Sequence, residues 1–186
     1  MAISPALKEI APSLGVGEIR LNLGGRTHKI PGFLTVDKFG GKEVDYDCDI
    51  SQLPFAIGTV SEIYSSHCLE HFPHVKTLDV LKEWRRVLKR GGKLYISVPD
   101  IDACVVLINK FGFNEYIRNL MYGDQGYDLA YHYTIFNFSA LARLCCDAGF
   151  DDVRRIDQMP YGLCDCSTNI DSYTRKPISV NVEAIA

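Results

Sequence analysis

No stretch of this 186-residue chain stays apolar for long. The longest such run, Ala103 to Ile108, falls far short of the ~20 residues a membrane-crossing helix requires, so no membrane span is expected. The N-terminus lacks a basic stretch followed by an apolar core, which leaves no signal peptide to read. An excess of one charge is missing too. The net charge is −3 and the pI near 5.9, which gives no electrostatic footprint for nucleic acid. Seven cysteines are scattered without a C-x-x-C pair, an odd number that suits reduced thiols and a cytoplasmic setting. Cys145-Cys146 and Cys164-x-Cys166 are the close pairs, and a lone C-x-C is weak ground for zinc. Repeats, low-complexity tracts and signs of a second domain are lacking as well.

The chain that remains is 47% apolar and 23% charged, ordinary for a soluble globular protein and long enough for one core. Residues 1–18 read as a lead-in, with Pro5 opening a short helix over Ala6 to Ile10 and Pro12 ending it. Residues 19–186 read as a single domain. The basic pairs Arg85-Arg86 and Lys89-Arg90 read as a solvated helix end.

A complete G-x-G-x-x-G is also absent, yet a partial one organises the chain. Ile19, Leu21 and Leu23 alternate as in a buried strand, Gly24-Gly25 follows at once, and a second apolar run, residues 33–36, ends in Asp37. Strand, glycine turn, strand and acid form the skeleton of a nucleotide site, with the acid placed for ribose hydroxyls. Asp37 follows Gly25 by only 12 positions, which is short for a full crossover helix.

Further along, Val44, Tyr46 and Cys48 alternate with aspartates and suggest a weak strand. Ser61 to Ser65 reads as a strand. Val75, Leu78, Leu81, Trp84, Val87 and Leu88 recur at helical spacing, so an amphipathic helix is expected over 74–89, stopped by Gly91-Gly92. Residues 93–98 (KLYISV) are the best strand in the chain. A helical region over 101–121 is divided at Gly112. Residues 122–134 form a polar and aromatic loop, and Ser139 is placed to cap a helix over 140–148. Strands at 153–156 and 179–184 close the chain, joined without an evident helix and so antiparallel. The pattern predicts an α/β fold.

His67, Glu70 and His71 spell H-x-x-E-H, an inverted zinc-peptidase motif. His67 directly follows a strand, however, and Phe72-Pro73 interrupts any helix after His71, so a peptidase is disfavoured. No resident metal is expected.

Several segments together resemble one family. LNLGG, TVD, CDISQLPF, IYSSHCLEHF, EWRRVLKRGGKLYISVPD and FNFSALARLCCDAGFDDVRRID occur in the order found in small class I S-adenosylmethionine-dependent methyltransferases of the type-11 kind. The resemblance spans about residues 19–157. It implies a Rossmann-like sheet, mostly parallel with an antiparallel final strand and helices on both faces. It departs from the family where the glycines reduce to Gly24 and Gly25 and the first helix is trimmed to a loop.

The resemblance also implies roles. Leu23, Gly24 and Gly25 would lie along the amino-acid end of S-adenosylmethionine, and Asp37 would take the ribose hydroxyls. Asp49 would meet the adenine amino group, with Ile50 bordering the ring, although Asp49 also suits a loop cap. Ser65 and His67, at a strand's carboxyl end, would face the sulfonium. His67 and His132 are candidate catalytic bases. Asp100, Tyr131 and Tyr133 would line the acceptor pocket. The implied reaction is methyl transfer to an O or N atom of a small-molecule or glycan acceptor. A non-catalytic binding module of the same fold is the alternative, and a nicotinamide oxidoreductase is a weaker third reading. A homodimer is an open expectation.

Overall fold

A computed structural model describes residues 18–127, 130–163, 165–172, 175 and 177–186. The expected short helix over Ala6 to Ile10 and the residue Cys164 lie outside these. Six strands form one sheet: β1 (Ile19–Leu23), β2 (Leu34–Val36), β3 (Val60–Ser66), β4 (Leu88–Pro99), β5 (Asp151–Arg155) and β6 (Ser179–Ile185). Their order across the sheet is β2-β1-β3-β4-β6-β5. The first four are mutually parallel, whereas β6 runs antiparallel to both β4 and β5. Four helices accompany them: α1 (His74–Val87), α2 (Ile101–Phe111), α3 (Glu115–Tyr122) and α4 (Phe138–Asp147).

Alternation along the central strands sorts side chains to two faces. Ile63, Leu94 and Ile96 join the main core with Leu81, Trp84 and Val87 of α1 and Leu141 and Cys145 of α4. Tyr64 and Tyr95 serve the opposite face, where Ile30, Phe33, Met159 and Leu163 of the connecting segments cover them. Cys104, Leu107 and Ile117 hold α2 against α3 in a small core of their own.

Three local expectations are corrected. Helix α1 ends at Val87 rather than at the double glycine, because Leu88 is buried and already pairs with Val60 in the sheet. Lys89, Arg90, Gly91 and Gly92 therefore belong to β4, and Gly91 (φ +74°) donates its N–H to the Ala186 carbonyl. Of the helix's expected apolar face, Val75 is exposed and Val80 takes its place in the core. Residues 44–49 form no strand beyond one bridge between Tyr46 and Val36. There the Asp45 side chain accepts the Thr35 N–H at 2.8 Å, so an aspartate competes for the edge that a strand would use. Helix α4 is capped by Asn137, whose side chain accepts the Ala140 N–H at 2.9 Å, and Ser139 lies inside the helix.

Candidate cofactor and acceptor site

The four parallel strands end along one edge of the sheet. The residue that follows each strand is, in turn, Gly24, Asp37, His67 and Asp100. Beyond this edge lies a cavity of about 900 Å³. Gly24, Asp37, Asp49, Ile50, His67, Tyr131 and Tyr133 all line it, so residues drawn from five separate segments converge. A smaller cavity of about 320 Å³ lies away from this edge, between α2, α3 and residues 170–172.

Gly24 is a position where a side chain would be strained. Its φ is +70°, and an added Cβ would stand 2.2 Å from Cys68 Sγ. Its N–H donates to the Val36 carbonyl at 2.8 Å, which fixes the end of β1 to β2. Leu23 and Gly25 sit beneath the cavity floor rather than on it; both are buried, and a Cβ on Gly25 would strike the Asn22 side chain. Cys68, which the sequence reading passed over, links the two strand ends through its thiol, 3.3 Å from the Leu23 carbonyl oxygen.

Asp37 is 8% exposed, and its Oδ1 accepts the Phe39 N–H at 2.9 Å. Oδ2 accepts nothing from the described residues, which leaves it for a hydroxyl donor. Asp49 does what a loop cap does: Oδ1 accepts from the Ser51 N–H (2.9 Å) and hydroxyl (2.7 Å), while Lys38 Nζ stands 3.8 Å from Oδ2. It lines the cavity as well, so the two roles expected for it coexist. The Ile50 carbonyl accepts from Trp84 Nε1 at 2.9 Å, which anchors this wall to the core.

The histidines are arranged differently from expectation. His67 adopts φ +54°, in the left-handed region. Its Nε2 lies 2.9 Å from Ser179 Oγ and its Nδ1 3.2 Å from Glu70 Oε1. Both nitrogens are turned toward protein partners, so His67 forms a wall of the cavity and not a free base. His132 lies behind that wall. Its Nδ1 is 3.0 Å from the Leu120 carbonyl oxygen, and its ring meets His71 edge-on at 4.9 Å between centroids. Burial lowers the His132 pKa, partly offset by the charge of Glu70, so the neutral ring is favoured. His71 itself reaches the cavity.

Ser65 is fully buried and does not line the cavity. Asp100 does not line it either. Its Oδ1 caps α2 by accepting the Asp102 N–H at 3.0 Å, and its Oδ2 accepts from Arg155 Nη2 at 2.8 Å. Tyr131 and Tyr133 do face the cavity, with rings nearly parallel and 6.2 Å apart. Their loop is stitched to the end of β3: Tyr133 and Thr134 N–H groups donate to the Glu70 carbonyl, and the Thr134 hydroxyl donates to the Phe72 carbonyl. Arg26, Lys38, Phe39, Phe72 and Tyr127 are among the further lining residues and were not foreseen. Lys38-Phe39 could have been found, since both directly follow the ribose acid at a strand end.

A glycine turn, a buried strand-end acid and a cavity outside the carboxyl edge are the features expected of a nucleotide-cofactor site of the open α/β type. Residues 31–96 match the family model of a methyltransferase domain of type 11. That match covers about a third of the chain, and over that stretch the sequence is similar to a methyltransferase domain. No curated protein matches the sequence significantly. Among solved structures, a S-adenosylmethionine-dependent methyltransferase from Archaeoglobus fulgidus shares the fold at TM-score 0.60 and 16% identity, over 91% of this chain and 87% of that one. A possible histamine N-methyltransferase from Thermotoga maritima does so at 0.57 and 18%, over 91% and 82%. Phosphoethanolamine N-methyltransferase 2 of Haemonchus contortus, bound to phosphomonomethylethanolamine and S-adenosylhomocysteine, aligns at 0.57 and 15%, over 96% of this chain and 51% of that enzyme.

Proposed function

We propose that the chain transfers a methyl group to an oxygen or nitrogen of a small-molecule or glycan acceptor held between the cofactor edge and the Tyr131–Tyr133 loop. The observation that carries this is the convergence of Gly24, Asp37 and Ile50 on one cavity that two adjacent tyrosine rings also line. When bound, S-adenosylmethionine supplies an activated methyl group on a sulfonium.

Everything else falls to the chain's own residues. Gly24 leaves room for the cofactor's amino-acid end, and Asp37 Oδ2 accepts from the ribose. Ile50 borders the adenine ring. Tyr131 and Tyr133 offer stacking faces for a flat ring or a sugar. Positioning of this kind reaches effective molarities of about 10⁵–10⁸ M in well-oriented systems, so a strong base is not required for an amine acceptor. Both His67 and His71 line the cavity, and the reading does not require either of them, or His132, to act as a base. A possible histamine N-methyltransferase and a phosphoethanolamine N-methyltransferase among the structural neighbours favour an amine acceptor, while the paired tyrosine rings also suit a hydroxyl-bearing ring. We further place the protein in the cytoplasm and treat residues 19–186 as one domain, with a homodimer to be tested by light scattering.

The non-catalytic alternative has one observation in its favour: the ten residues 24–33 between β1 and β2 contain no helix. Incubating the protein with methyl-labelled S-adenosylmethionine and a fractionated cell extract decides between them. Label in a small molecule that is absent with the Asp37→Ala variant supports the enzyme; cofactor binding without labelled product in any fraction supports the module.

A further inference from the structure

The Glu70 carboxylate is wholly buried, at 0% exposure; His67 Nδ1 faces Oε1 at 3.2 Å, and Oε2 accepts no hydrogen bond from the described residues. An unsatisfied buried carboxylate is costly unless a cation or donor meets it. Three imidazoles surround it. One nitrogen of His71, one of His132 and a Glu70 oxygen lie within 4.8 Å of one another.

Hydrogen bonding fixes which nitrogens those are. His71 Nδ1 is 2.9 Å from the Tyr131 carbonyl oxygen, and His132 Nδ1 is 3.0 Å from that of Leu120. A carbonyl only accepts, so each Nδ1 carries its ring proton, and each neutral ring keeps a bare lone pair on Nε2. Two lone pairs and a carboxylate then converge, and the one ring nitrogen that can donate to them is His67 Nδ1, on Oε1. A ring held by Nδ1–H to a carbonyl, with Nε2 presented to a shared point, is the arrangement that orients metal-ligating histidines.

We propose that Glu70, His71 and His132 hold one divalent transition-metal ion at the acceptor end of the cavity. Two imidazoles and one carboxylate suit zinc, iron, cobalt or manganese better than magnesium or calcium. Three protein ligands leave a coordination position open, and His71 is the ligand that lines the cavity, so the open position faces it. That position takes a water or an acceptor oxygen. The ion differs from a peptidase zinc in its ligands: His67 is turned to Ser179, and the third ligand comes from the 130–134 loop. Binding would clamp that loop onto residues 69–72, which already share four hydrogen bonds. The proposal rests on the cavity described above but not on methyl transfer within it.

Titration of the reduced, full-length protein with Co²⁺ in the absence of cofactor tests it. One equivalent should bind and give visible d–d bands without a thiolate charge-transfer band, since no cysteine is a ligand. His71→Ala and His132→Ala should each weaken Co²⁺ binding by at least about tenfold. His28→Ala and His74→Ala, at exposed histidines elsewhere, should leave it unchanged. His71 is only half-buried, so its variant reports even where His132→Ala fails to fold. No bands at millimolar Co²⁺, thiolate bands, or wild-type affinity in His71→Ala would each overturn the assignment. A parallel titration with S-adenosylhomocysteine separates loss of the metal site from failure of the cofactor site.

Discussion

The ends of β1 and β3 are neighbours in the sheet but are built in opposite ways. Past β1 the chain crosses to β2 in ten residues without a helix, and Arg26, Thr27, His28 and Lys29 are all exposed. Its backbone bonds are few and mostly local: Gly24 N–H to Val36, His28 N–H to Gly25 and Phe33 N–H to Ile30, with the Asn22 amide donating to the His28 carbonyl. Past β3 the segment from His67 to Phe72 has no exposed residue and is tied to β4, to Ser179 of β6 and to the tyrosine loop. Under the proposed function the first region would meet its ligand with backbone and one acid. The second would meet it with side chains locked by several elements. Substitutions should therefore separate binding from stability at β1, and should damage both together around β3.

The largest effect is expected where the core supports both regions. Trp84 is fully buried and its indole N–H holds the Ile50 carbonyl. Trp84→Ala should cost about 3–5 kcal/mol in urea unfolding, with cofactor binding weakened in whatever remains folded. Gly24→Val comes next and sharpens the contrast. The left-handed φ and the approach of Cys68 should cost about 1–3 kcal/mol of stability. Cofactor affinity measured by calorimetry should fall by about a hundredfold, or ~2.7 kcal/mol, because the backbone itself is displaced. Equal loss of binding and no loss of stability would show the loop to be more pliable than its contacts imply.

The smallest effect lies away from both regions and serves as their reference. Glu183 is buried in β6 with Arg154 Nη2 at 2.6 Å and Lys93 Nζ at 3.3 Å. Burial raises its carboxyl pKa, but the hydrogen bonds and charges of Arg154 and Lys93 outweigh this and hold it below 4.5. Folding then favours the ionised form. The stability it contributes is present above pH 4.5 and is lost as the pH falls through the lowered value. Glu183→Gln should cost about 1 kcal/mol at pH 7, and the difference from wild type in urea unfolding should shrink on acidification. Cofactor affinity should not change.

Much of the sheet could be read from local pattern. KLYISV alternates strongly, and Leu94 and Ile96 are indeed buried opposite Tyr95. The acid after β2 was legible for the same reason, since the turn from apolar run to Asp37 marks a strand end. The aspartate run at 44–49 misled because alternation does not reveal that Asp45 bonds sideways to Thr35. Gly91-Gly92 misled because a glycine pair signals a turn without saying whether a helix or a strand contains it. The Glu70 cluster lay outside what spacing could show. His67, Glu70 and His71 are close in sequence, but His132 joins them only through the loop that folds back onto the end of β3.

The central claim is that a cofactor edge without its first helix still binds S-adenosylmethionine through Gly24 and Asp37. Isothermal calorimetry of wild type and Asp37→Ala with S-adenosylhomocysteine tests it most directly. The account predicts one site per chain in the wild type and at least about tenfold weaker binding in the variant, or ~1.4 kcal/mol, from the lost ribose contact. No heat of binding at high micromolar ligand, or equal affinity in the two proteins, would contradict it.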